Sequence, residues 1–131
     1  MSKPIAEVLI TTQDELIAKA RAVFDTGSFF TILRQDKLPA GAAVVWKRIP
    51  REFSTAASGG KLRATAELVM AITIGEKTIE DSVLVSPDLA QEMLIGAGTM
   101  QKWDITIQNK NGETAIIVGR DLSDPDITEI D

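Results

Sequence analysis

From Leu62 to Ile74 apolar and polar residues alternate, with Leu68, Met70, Ile72 and Ile74 on one side and Glu67, Val69, Ala71 and Thr73 on the other. A period of two is the signature of a strand, whose successive side chains point to opposite faces. The pattern breaks at "GEK" around Gly75 and a second apolar run, "TIEDSVLV", follows. Together these predict a long β-hairpin.

The remaining segments read the same way. "AEVLIT" leads through the polar "TQDE" into a run where Ile17, Lys19, Arg21 and Val23 alternate with Ala18, Ala20, Ala22 and Phe24. This is a hairpin that ends at Asp25. A break at Pro39 and Gly41 precedes "AAVVW"; after Pro50 comes "STAASGGK", small residues that predict a mobile hairpin tip. "DITIQNKNGETAIIVG" sets Asn111-Gly112 between two apolar strands, a strong signal for a tight turn. Only "PDLAQEMLIGAGTMQKW" has helical character. The final "RDLSDPDITEID" is acidic and has little to bury, so residues 120–131 are expected to form a flexible tail behind a single all-β domain of residues 1–119. "PIAEVLI" and "TAIIVG" are candidate interface strands or partners within one subunit, since an apolar edge needs cover.

Composition narrows the chemistry. The 131 residues suit one domain with a real core. There is neither cysteine nor histidine, which excludes disulfides, thiol nucleophiles, Ser-His catalysis and His- or Cys-based metal sites. A net charge of −5 disfavours nucleic acid as a partner. No apolar run approaches the length of a membrane helix and no secretory leader is evident, so the expected location is cytoplasmic and away from membranes. Trp46 and Trp103 are expected to anchor the core. Glu67, Glu76, Glu80 and Asp81 match no calcium-loop spacing and read as solvated strand faces, and "GAGTM" lacks the lysine of a phosphate-binding loop.

One stretch resists a purely structural account. "AVFDTGSFFTIL", residues 22–33, places a carboxylate between two apolar runs, where burial is costly unless something holds it. Taken alone, Asp25-Thr26-Gly27-Ser28 reads as a turn in which Asp25 and Ser28 bond backbone groups and Gly27 takes an unusual backbone angle. Its surroundings add to this. An apolar strand ends at Phe24, another begins at Phe29, a glycine-bearing hairpin lies downstream, and Leu94-Ile95-Gly96 comes later still.

This order, from about Glu7 to Val118, resembles the retropepsin family, the single-lobed aspartic proteases of retroviruses and their bacterial relatives. The resemblance implies a closed or partly open β-barrel with a flap hairpin and one short helix, from about Ala97 to Trp103. It implies that Asp25 is the catalytic aspartate, that Thr26 bonds across to a partner turn, and that Gly27 admits substrate backbone while Ser28 completes the turn. Ala57, Ser58, Gly59 and Gly60 would form the flap over a bound peptide, and Leu94, Ile95 and Gly96 the apolar-Gly signature. Retroviral members usually carry Asp or another polar residue where Phe29 stands, and an arginine followed by Asn or Asp where Ala97 and Gly98 stand. Both charges are absent together here, so neither is left buried and unpaired; Phe29 is expected either to fill the core, the stronger reading, or to wall the cleft as an apolar subsite.

The implied chemistry is hydrolysis of a peptide bond without cofactor or metal. It needs one group to activate water and another to protonate the leaving nitrogen, which two carboxylates sharing a proton supply. The chain has a single Asp-Thr-Gly, so the expectation is a symmetric homodimer that joins two copies of Asp25 and acts on an extended peptide, best at acidic pH. The alternative is a non-catalytic homodimeric peptide-binding module on the same fold.

Overall fold

In the computed structural model, which describes residues 4–55 and 60–124, most of the chain is strand. The first hairpin joins β1 (Ile5–Thr12) to β2 (Ile17–Asp25), antiparallel, with Ile10 opposite Ala18. The short β3 (Ile32–Arg34) follows the Asp25 turn, and a 3₁₀ turn (Gln35–Lys37) leads on towards β4 (Val45–Thr55). The predicted long hairpin is β5 (Gly60–Ile74) with β6 (Lys77–Ser86), turning at Gly75, whose φ is 63°. Then come β7 (Met93–Gly96), the only α-helix among the described residues, α1 (Ala97–Lys102), and the pair β8 (Ile105–Lys110) and β9 (Glu113–Val118). Asn111 and Gly112, at φ 54° and 80°, make the tight turn between this last pair, as the dipeptide predicts.

Strand order closes the sheet on itself. The sequence β1-β2-β7-β3-β6-β5 returns to β1 through pairing of Leu9–Thr12 with Met70–Thr73, giving a six-stranded barrel. β4 lies outside it as an extra strand on β5. The 15 residues of β5 make this possible, because the half near Ile72 pairs with β1 while the half near Leu62 pairs with β4. Two neighbour pairs are parallel, β2 with β7 and β3 with β6, and the other pairings are antiparallel.

The alternation seen in the sequence becomes the inside and outside of this barrel. Ala20, Ala22 and Phe24 of β2 face inward with Val8 and Ile10 of β1, Met70 and Ile72 of β5, Ile79 of β6, and Met93 and Ile95 of β7. Burying each large apolar side chain contributes roughly 1.5–3 kcal/mol, so one face per strand suffices to hold the barrel. A second cluster, Ile32, Leu62, Ala64, Leu84, Leu89 and Leu94, packs against Phe30 and Phe53. The last hairpin contributes Ile105 and Val118 to the main core, so "TAIIVG" pairs within its own subunit.

Two aromatic expectations diverge. Trp103 packs against the core with its indole N–H on the Glu80 carbonyl at 3.2 Å, as expected, whereas Trp46 is 60% exposed on the outer strand. It lies on β4, which among the described residues pairs with one strand only, so most of the ring stays uncovered. Beyond β9 the chain stays attached: Arg120 donates its backbone N–H to the Trp103 carbonyl and Leu122 its own to that of Thr78, at 3.0 and 2.8 Å. Asp121 is buried and accepts from the Ser123 hydroxyl at 2.6 Å. Residues 125–131 of the expected tail lie outside the described residues.

Candidate active site

The parallel pair β2 and β7 sets the frame. Val23, Phe24 and Asp25 stand beside Leu94, Ile95 and Gly96, so the sequence motif and the apolar-Gly signature are neighbours in space. Glu92 lengthens this ladder by one rung, its Oε1 accepting the Arg21 N–H at 2.8 Å. That bond, with help from Lys37 at 3.5 Å, holds the Glu92 carboxyl below the usual glutamate range.

Asp25 closes β2 and is only 3% exposed. Its Oδ1 accepts the Gly27 N–H at 2.8 Å, and its carbonyl accepts the Ser28 N–H at 3.2 Å, a turn in which the aspartate side chain organises its own backbone. The Ser28 hydroxyl, buried, donates to the Phe30 carbonyl at 3.2 Å. Thr26 and Gly27 are exposed, so a buried carboxylate sits directly under an accessible turn. Among the described glycines the positive φ values fall at Gly41, Gly75 and Gly112 rather than in this turn.

After the turn the chain crosses over the end of β7 and the start of α1. Ala97 and Gly98 donate their N–H groups to the carbonyls of Ser28 and Phe29, at 2.6 and 2.9 Å. Underneath, the Gly96 N–H donates to the Thr31 hydroxyl at 3.1 Å, and Thr31 shares a 2.5 Å hydrogen bond with Thr99, both threonines being buried. The crossing is so close that a Cβ on Gly96 would collide with the Phe30 carbonyl oxygen and stand 2.6 Å from that of Phe29. Gly96 is therefore required by backbone approach.

Phe29 takes the second of its two expected places: it is 63% exposed rather than in the core, and it lines the cleft beside the turn. Its ring lies on Gly98, where an added Cβ would stand 2.9 Å from the ring's Cζ, so the crossing loop turns this side chain outward over the helix start. Phe29 meets Phe30 edge-on at 5.4 Å between centroids, and Phe30 meets Phe53 of β4 at 5.6 Å. Sequence reasoning missed Thr31 and Thr99; the one signal was a threonine inside the apolar run "FFTIL". Of the expected flap residues, Gly60 opens β5 and is exposed, while Ala57, Ser58 and Gly59 lie outside the described residues.

The six-stranded barrel, with one strand ending on the buried Asp25 beside another ending on Gly96, is a retropepsin-like all-β fold. The retroviral aspartyl protease family model matches residues 1–108, and the chain belongs to that family. Among solved structures it is similar to EIAV protease complexed with the inhibitor HBY-793, with a TM-score of 0.54 and 18% identity over 77% of this chain and 88% of that one. That likeness supports the fold. No curated protein matches.

Proposed function

We propose that the chain is an aspartic endopeptidase whose working form is a symmetric homodimer, with Asp25 of each subunit meeting on the two-fold axis. The observation that carries this reading is Asp25 itself: a buried carboxylate at the mouth of a barrel, beneath an exposed turn, with Oδ1 fixed by the Gly27 N–H. A carboxylate held by its own backbone is oriented before substrate arrives, which lowers the entropy lost in reaching the reactive geometry. A pair of such groups shares one proton; the ionised member takes a proton from water and the protonated member gives one to the leaving nitrogen. The exposed Thr26 is available to bond across the two-fold axis, and the rim formed by β4 and β5 offers backbone groups along which an extended peptide can lie.

The test is cleavage of a diverse peptide library between about pH 4 and pH 7, by the chain and by Asp25→Asn, read by mass spectrometry. Cleavage by the unaltered chain alone, on the acidic side, with Asp25→Asn still dimeric by light scattering, is the expected outcome. Two folded dimers that both leave every peptide intact would point instead to the non-catalytic peptide-binding module.

A further inference from the structure

Beside the active-site turn lies a cleft of about 400 Å³ between β4, β6 and α1, with Phe29 and Phe30 as one wall. Its charge differs from that of the chain, which is −5 overall. Lys47, Arg51 and Lys102 line it against Glu67 and Asp81. Two of the cations are already answered, Lys47 by Glu67 at 2.6 Å and Lys102 by Asp81 at 3.8 Å.

Arg51 is the cation left over. No carboxylate among the described residues lies within ion-pair distance of it. Its guanidinium instead stacks on the Phe30 ring, Cζ 4.9 Å from the centroid. Stacking occupies the flat face of a guanidinium and leaves the edge donors, which match a carboxylate in a two-pronged bond. The ring also restricts the long side chain, so less freedom is lost when a ligand binds.

We propose that this cleft is a specificity site for an acidic side chain of the bound peptide, with Arg51 as its anchor. The proposal rests on the peptidase reading above and adds the substrate feature that the reading leaves open. A basic side chain gains nothing here, because Glu67 and Asp81 already have lysine partners and Arg51 repels it.

The test uses binding, so that it does not depend on turnover. Fluorescently labelled extended peptides, with glutamate, glutamine or lysine walked along their length, are titrated into Asp25→Asn and read by anisotropy at low and high salt. The expected result is one position where glutamate binds about tenfold tighter than glutamine, by a margin that shrinks with salt. In Asp25→Asn carrying Arg51→Gln that ratio falls to about one, and Arg51→Lys restores only part of it because lysine lacks the planar fork. A glutamate-to-glutamine ratio near one at every position, or one unaltered by Arg51→Gln, overturns the proposal, as does failure of all peptides to bind. A clear Arg51-dependent preference in a chain that cleaves nothing would instead leave the cleft assignment standing and remove the peptidase.

Discussion

The turn at Asp25 and the outer strand β4 flank the same rim and are built on opposite principles. At the turn, two backbone segments cross within contact distance, the polar groups of Thr31 and Thr99 are buried and bonded, and Gly96 has no room for one more carbon. β4 has one neighbouring strand, a register shift between Trp46 and Arg51, and Val45, Trp46 and Ile49 exposed at 68, 60 and 80%. Close packing is concentrated around the buried carboxylate, and uncovered apolar surface on the outer strand. Positioning chemistry needs a single geometry, whereas recognition gains from surface not yet satisfied.

The sharpest way to break this contrast is Gly96→Ala. Its Cβ would meet backbone carbonyls, which cannot swing aside as a side chain can, so we expect a loss of about 3 kcal/mol or more, seen as a lowered urea midpoint or failure to fold. A midpoint close to that of the unaltered chain would show that the crossing is looser than its distances.

Thr31→Val comes next. It removes the acceptor for the Gly96 N–H and the partner of Thr99 while nearly conserving shape, leaving two buried polar groups unanswered at a cost of about 1–3 kcal/mol. Restoring the hydroxyl with Thr31→Ser should recover part of that loss in the same denaturation assay.

On the other side of the comparison, Trp46→Ala and Ile49→Ala should leave stability within about 0.5 kcal/mol, since both side chains are largely exposed already. A loss above that from either in thermal unfolding would mean that β4 is held by contacts made in an assembly.

The smallest effect concerns acid. The Arg21 N–H and Lys37 hold Glu92 below its ordinary value of 4.5, so its contribution is fully present above that pH and is lost as pH falls through the lower folded value. Glu92→Gln should therefore narrow the stability difference between pH 6 and pH 3 slightly. An identical pH profile for both proteins would show that Glu92 contributes nothing to it.

Legibility in the sequence followed the range of the interactions. The hairpins around Gly75 and Asn111-Gly112 and the strand ending at Asp25 were readable because alternation and turn chemistry are local. Asp25, Gly96 and the short helix were readable as motifs, but not why Gly96 must be glycine, since its constraint comes from Phe29 and Phe30, far off in the chain. Trp46 was misplaced and Phe29 left between core and cleft for one reason: an aromatic ring signals a large apolar surface without saying which side of the backbone has anything to cover it. The parallel pairing of β2 with β7 left no trace in either strand.

That pairing also has a consequence in time. The hairpins can close as soon as their own residues exist, but Asp25 reaches its place only beside Gly96, the most distant partnership in the barrel alongside Arg21 with Glu92. Distant contacts form late because the loop between them must first be closed. A chain emerging residue by residue from the ribosome thus carries Asp25 through the synthesis of β3 to β6 without the strand that pairs beside it, and this corner of the barrel is assembled after the hairpins that precede it.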